Sequence, residues 1–274
     1  PLNVTMGADI LVSHNMQSDF NFHQLYADLK YRNTVFSVGA KERYSLFKNK
    51  LLSSGGMTLS NNARPIPQVE VSIPDFVTVP YTKGYLQFIG GLSYGWFGDD
   101  KFKKRNAADG YYAEKVLYHR KYGFLKFEKV PAWSFIVGAE MDTQWGGRFY
   151  HAGEYWDKGS AKLRDFFKVL IPMKGGAESN LTDRQNIVGN VYGSTHFIVE
   201  HKRKEFSIKT YHEHFFEDHS GIIFKNIPDG LYGLELNLNK KGWLTSVLFE
   251  YLHTKEQSGP FLWDENEEIP VQVS

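Results

Sequence analysis

The stretch YHEHFFEDHSG, residues 211–221, sets three histidines and three carboxylates around two phenylalanines between His212 and His219. Those residue types could do several kinds of chemistry. On an extended segment His212 and His214 share a face and could chelate a metal as an i, i+2 pair. A metal centre also needs a third ligand and supporting hydrogen bonds, and the helical H-E-x-x-H arrangement of zinc hydrolases is absent. A glycosidase would need two carboxyls about 5–5.5 Å apart, or about 6.5–9.5 Å apart for inversion. Glu213 with Glu217 or Asp218 could meet either spacing. The same groups could bind sugar without reaction, with carboxylates and histidines on hydroxyls and aromatic rings on sugar faces. They could also form a polar cluster that pins a loop to its scaffold, because buried polar groups need partners.

The elements that would position this stretch are strands. Period-2 alternation dominates the chain. In SFIVGAEMDTQW, Phe135, Val137, Ala139 and Met141 oppose Gly138, Glu140, Asp142 and Gln144. In WLTSVLFEYLHT, Val247, Phe249 and Tyr251 oppose Ser246, Glu250 and Thr254. The pattern predicts strands at 2–12, 20–30, 34–43, 68–76, 84–96, 111–128, 134–145, 191–201, 205–214, 230–238 and 243–254. With 111–128 taken as one strand, short connections (31–33, 77–83, 129–133, 202–204, 239–242) alternate with longer ones (13–19, 44–67, 97–110, 146–190, 215–229). Short turns at one end and long loops at the other is the habit of an outer-membrane barrel.

Composition bounds the classes. The 274 residues carry a formal net charge of +1 and no cysteine. There is no disulfide framework or thiolate chemistry, and no basic stripe for nucleic acid. No apolar run approaches the ~18 residues of a membrane helix, whereas barrel strands need none. The sequence opens at Pro1 without a start methionine, so a mature or excised piece is expected. Charges facing lipid at mid-bilayer cost about 2–4 kcal/mol. The phase of Glu140, Asp142 and Glu250 should therefore face a lumen, and that of Val137, Val247 and Phe249 lipid. Trp243 and Tyr251 would serve as girdle residues.

The long connection 146–190 is read as a helical insertion. SAKLRDFFKVLIP spaces Leu163, Phe166, Phe167 and Leu170 as one apolar helix face, and TDRQNIVGN begins with a capping-box pattern. Such helices would pack over the long-loop end or fold into the lumen. SNNARPIP suits an ordered loop, GDDKFKKR a solvated charge run, and GPFLWDENEE, with Trp263, an outer loop. GGLSYGWFG fits a bend better than a phosphate loop.

Several long stretches together carry a family resemblance: YADLKYR, GAKER, SSGGMTLSNNARPIPQVEVSIPDF, ESNLTDRQNIVGNVYGS, YHEHFFEDHSG and QSGPFLWD. The chain resembles, over nearly its full length, the capsule-assembly Wzi-like proteins of Bacteroides-type bacteria. The resemblance implies an all-β, antiparallel transmembrane barrel of about 18 strands, of which roughly 11–12 lie here, with 1–274 a single domain incomplete at both ends. It implies a monomeric surface lectin of the bacterial outer membrane that helps attach or assemble capsular polysaccharide. The partners would be that polysaccharide, membrane lipid and lipopolysaccharide, with no cofactor, metal or enzymatic activity. A solute channel and a surface glycoside hydrolase are the competing functions.

For sugar contact the residues themselves point to the long-loop rim: Arg43, Trp145, Glu213, Glu217, Asp218 and His219. Lys41 and Arg43 of GAKER sit in the lumen phase, where the arginine fork suits acidic sugars or phosphates. They could instead pair with Glu140 or Asp142 across the barrel.

Overall fold

The computed structural model describes residues 2–12, 14, 20–107, 110–170, 190–217, 224, 226–240, 242–256, 261–262 and 271–272. Its strands are β1 (Leu2–Val12), β2 (Phe20–Tyr31), β3 (Thr34–Ala40), β4 (Pro67–Thr78), β5 (Leu86–Trp96), β6 (Tyr111–Phe127), β7 (Trp133–His151), β8 (Glu154–Lys158), β9 (Asn190–Lys202), β10 (Phe206–Phe216), β11 (Gly230–Leu238), β12 (Ser246–His253), β13 (Phe261–Leu262) and β14 (Val271–Gln272). Two short helices, α1 (Asp100–Asn106) and α2 (Leu163–Leu170), interrupt them. Strands β1 to β12 form one antiparallel sheet in chain order, with β8 set beside β7 off the main path. The sheet is not closed among the described residues: β1 and β12 are its two edges.

Alternation decides which face each side chain takes, and here the faces are inverted relative to a soluble protein. One face buries Glu140, Asp142, Ser194, His196, Glu213 and Glu235. The other exposes Leu29, Phe36, Val71, Val137, Phe197, Leu234, Val247 and Phe249. Val137 and Phe249 thus lie opposite Glu140 and Glu250 in phase, as the alternation predicts. Aromatic side chains bound the exposed apolar band. Tyr31, Tyr85, Trp133 and Trp243 lie toward the short turns and Tyr251 toward the long loops.

The segment 111–127 is one continuous strand, and the connections along the main path of the sheet keep their short–long alternation. Two expectations need correction. Strand β3 stops at Ala40, so Lys41 and Arg43 belong to the following loop. Strand β7 does not end near 145 but runs to His151 and turns through Ala152 (φ 50°) and Gly153 (φ 86°) into β8. Positive φ at both turn residues is what a tight two-residue hairpin requires.

This added hairpin builds a flap. Strand β5 stops at Trp96 opposite Leu117, and β9 begins at Asn190 opposite Gln144. Among the described residues, the strand partners of 111–115 and 148–151 are therefore each other and β8. At ~3.3 Å per residue the flap extends about 20 Å beyond its neighbours. At its base Glu114 pairs with Arg148 and Val116 with Gly146 in unchanged register, while Lys115 (φ 55°) and Gly147 (φ 90°) between them leave the extended conformation and interrupt the ladder.

Helix α1 forms where a solvated charge run is expected. Asp100 in its first turn and Lys103, Lys104 and Arg105 in its last complement the helix dipole. Asp100 also accepts the Lys115 backbone N–H at 3.0 Å, tying α1 to the flap base. Helix α2 does not enter the interior. It packs on the outward phase at the long-loop end, where Phe166 and Val169 meet Trp145, Tyr94 and Leu117. Lys121 donates to the Val169 and Leu170 carbonyls at 2.7 and 2.8 Å, satisfying the helix C-terminus. The four-residue apolar face read from the sequence is split: Leu163 and Phe167 point away and are exposed. The predicted helix in TDRQNIVGN lies outside the described residues, as does Trp263.

Candidate functional site

The interior is filled by the β3–β4 connection, residues 41–66. It reaches across the concave face to strands β7, β9, β10, β11 and β12. Register places the wall residues side by side: Arg120 opposite Asp142, Glu140 opposite Ser194, His196 opposite Glu213. Arg120 donates to Glu140 at 2.6 Å and Tyr118 donates to Asp142. His196 Nε2 lies 3.3 Å from Glu140 and 2.8 Å from the Ser194 hydroxyl, which donates to Glu213 at 3.0 Å.

The loop docks onto this wall through matched groups. Thr58 donates to Glu140 at 2.6 Å, and the Met57 backbone N–H to Glu213 at 2.7 Å. Lys48 Nζ sits 3.0 Å from Glu213 and 3.9 Å from the centre of the Tyr211 ring. Ser53 donates to Glu250 at 2.8 Å, Tyr211 donates to the same oxygen, and Asn49 donates to Glu235 at 2.9 Å. Leu46, Phe47 and Met57 cover a small apolar cluster of Phe124, Ile136, Ile198 and Leu231. The SSGG turn is what permits so close an approach. Gly55 holds φ at 109°, and a Cβ on Gly56 would meet the Glu213 carboxylate at 2.9 Å.

Tyr211 and Glu213 of the YHEHFFEDHSG stretch thus face inward, and the polar-cluster reading describes them. The pinned element is the distant 41–66 loop. His212 and His214 face outward: His212 stacks on Tyr232 at 4.4 Å, and His214 lies buried behind Phe224 with Nδ1 at 3.1 Å from the Asp229 carbonyl. Glu140, His196 and Glu213 do offer ligand atoms within 4.8 Å of one another. Arg120, Lys48, Thr58, Ser194 and the Met57 N–H already engage those carboxylates, so the trio reads as a balanced polar core rather than a metal centre.

The rim residues proposed for sugar contact separate. Glu213 is 0 % exposed beneath the loop, and Trp145 is 3 % exposed beneath α2, so neither offers a free face. Arg43 is half-buried and donates to Glu70 at 2.7 Å; Lys41 pairs with Asp28. The pairing of these cations with Glu140 or Asp142 is corrected, since Arg120 holds that place. Glu217 is exposed just past β10. Asp218 and His219 lie outside the described residues. Beside Arg43, hydrogen bonds from His23 and then Tyr44 hold the Glu42 carboxyl below its ordinary 4.5. Sequence patterns do not single out Lys48, Thr58 or His196. The inward parity of His196 is a usable signal, whereas no periodicity marks a loop that crosses an interior.

The geometry defines an inside-out all-β protein, apolar outside and charged within, whose hollow is occupied by its own loop. The chain belongs to the family described as capsule assembly protein Wzi, which matches residues 5–267. Nothing among curated proteins or solved structures matches it significantly. Family membership supports a role in capsule assembly and an association with capsular polysaccharide.

Proposed function

We propose that the chain is part of an outer-membrane β-barrel that binds capsular polysaccharide as a surface lectin and keeps it attached to the cell. One observation carries this reading: the sheet is apolar outside and charged inside, and the 41–66 loop seals the charged side. An apolar outer band with aromatic borders suits lipid, and a filled interior suits binding at the surface better than conduction. Hydrolysis by Glu213 with Glu217 or Asp218 is disfavoured because Glu213, common to both pairs, is buried under the loop and cannot reach a glycosidic bond. A barrel also requires the β1 and β12 edges to be paired, with each other or with further strands.

The test is genetic. Deleting the gene should lower cell-attached polysaccharide while the total of attached and released material holds. Unchanged attachment would reject the anchoring role. Steady open pores from the wild-type protein in planar bilayers would favour the channel reading instead.

A further inference from the structure

The flap formed by β6, β7 and β8 carries aromatic rings on both of its faces, beyond the sheet and away from the apolar band. On one face Tyr111 stacks on His151 at 4.0 Å with an 11° interplanar angle, and Trp156 meets Tyr111 edge-on at 6.0 Å. On the other, Tyr112 stacks on Tyr150 at 5.0 Å and 6°, with Tyr155 edge-on to Tyr150 at 6.0 Å. Trp156 is 68 % exposed, Tyr111 56 % and Tyr155 55 %. Core packing does not account for rings so open, and exposed apolar patches generally mark contact surfaces.

We infer that this flap is a saccharide-binding element whose two aromatic faces stack against the C–H faces of pyranose rings. The composition selects that occupant. Residues 111–115 and 148–158 contain no Leu, Ile, Val or Met, whereas they hold Tyr, Trp, Phe and His among Glu114, Arg148, Glu154 and Asp157. A surface set in the hydrocarbon of a bilayer would carry aliphatic side chains, as the exposed band of the sheet does. Flat rings with hydroxyl tips and neighbouring charges match a sugar, which is apolar on its ring faces and hydroxylated at its edges. The rings are pre-ordered by strand pairing and by each other, so little side-chain entropy remains to be lost on binding. The Asp100 carboxylate braces the flap at its base by accepting the Lys115 backbone N–H. A two-sided platform suits a long polymer, which can lie along either face.

This inference rests on the polysaccharide reading above, and the experiment separates the two. The full-length protein in detergent is tested for binding to capsular polysaccharide purified from the same strain. Tyr111→Ala/Trp156→Ala and Tyr112→Ala/Tyr155→Ala are each expected to weaken binding at least about tenfold, or about 1.4 kcal/mol. Trp156→Phe, which keeps a ring face, should stay within about threefold of wild type. Unfolding temperature should fall by no more than about 4 °C in any of them, because Tyr111, Tyr155 and Trp156 are exposed and Tyr112 is half-buried. Wild-type binding with unchanged double variants overturns the flap and leaves the lectin reading standing. Loss of binding in Trp156→Phe, or a change in oligomer size in place of binding, also overturns it. A wild-type protein that binds no polysaccharide overturns the lectin reading and the flap with it.

Discussion

Glu213 and Lys48 form a fully desolvated pair, and such pairs are asymmetric in their response to mutation. Glu213→Ala takes the buried carboxylate away from the Lys48 ammonium and the Met57 N–H. It should destabilise the protein by about 3–5 kcal/mol, read from denaturant unfolding in detergent. The double variant Lys48→Met/Glu213→Leu should recover much of that loss, because it removes both charges. A single variant within about 0.5 kcal/mol of wild type would remove the loop from the interior. At the rim, Glu42 gives a pH test. Its folded value is lowered by His23 and Tyr44, so the stabilisation is present above 4.5 and is lost as pH falls through the lowered value. His23→Ala should move the Glu42 midpoint toward 4.5 in a carboxyl NMR titration; no movement would deny the hydrogen bond its role. The inward placing of Glu140, Asp142 and Glu250 was legible from parity alone. Trp145 misled because its strand does not end at the rim: the chain continues into the flap, and α2 covers the ring.

At the scale of elements, strands read well because a pleat forces alternation: β6 was legible as one strand from connection lengths, and β3 was overdrawn only where the 41–66 loop reclaims Lys41 and Arg43. The flap was missed because paired glycines look like a stop. In MDTQWGGRFYH, Gly146 (φ 67°) and Gly147 (φ 90°) mark a local interruption within β7, not its end. The runs DGYYAE and FYHAGEYW held the signal, with aromatics on either side of a glycine turn. The loop's seat was illegible, since its partners are scattered over five strands. A covalent trap checks that seat. The chain lacks cysteine, and the Thr58 and Ser194 hydroxyls lie 3.4 Å apart. Thr58→Cys/Ser194→Cys should therefore cross-link on mild oxidation, and mass spectrometry should find the bridged peptides. Free thiols throughout would place the loop elsewhere.

For the whole molecule, the inverted distribution of polarity makes a prediction about surroundings. Val137→Arg on the exposed band should reduce assembled protein in the outer membrane by an amount matching about 2–4 kcal/mol, the penalty for a cation at mid-bilayer. Arginine in place of exposed Tyr155 on the flap should leave assembly unchanged. Equal assembly of both variants and wild type would mean that the band does not meet lipid. Net charge gives no such leverage, because at +1 the opposing charges are sorted by face rather than by amount.

The reach of the 41–66 loop also bears on the order of events during folding. Thr58 lies 82 residues from Glu140, Met57 156 from Glu213, and Ser53 197 from Glu250. Contacts so distant along the chain form slowly, because each closes a large loop before it gains anything. The polar seat does not exist until β7, β9, β10 and β12 are in place. The loop therefore stays hydrated while the wall is laid down, and its docking is a late, cooperative step that locks curvature already established by the strands.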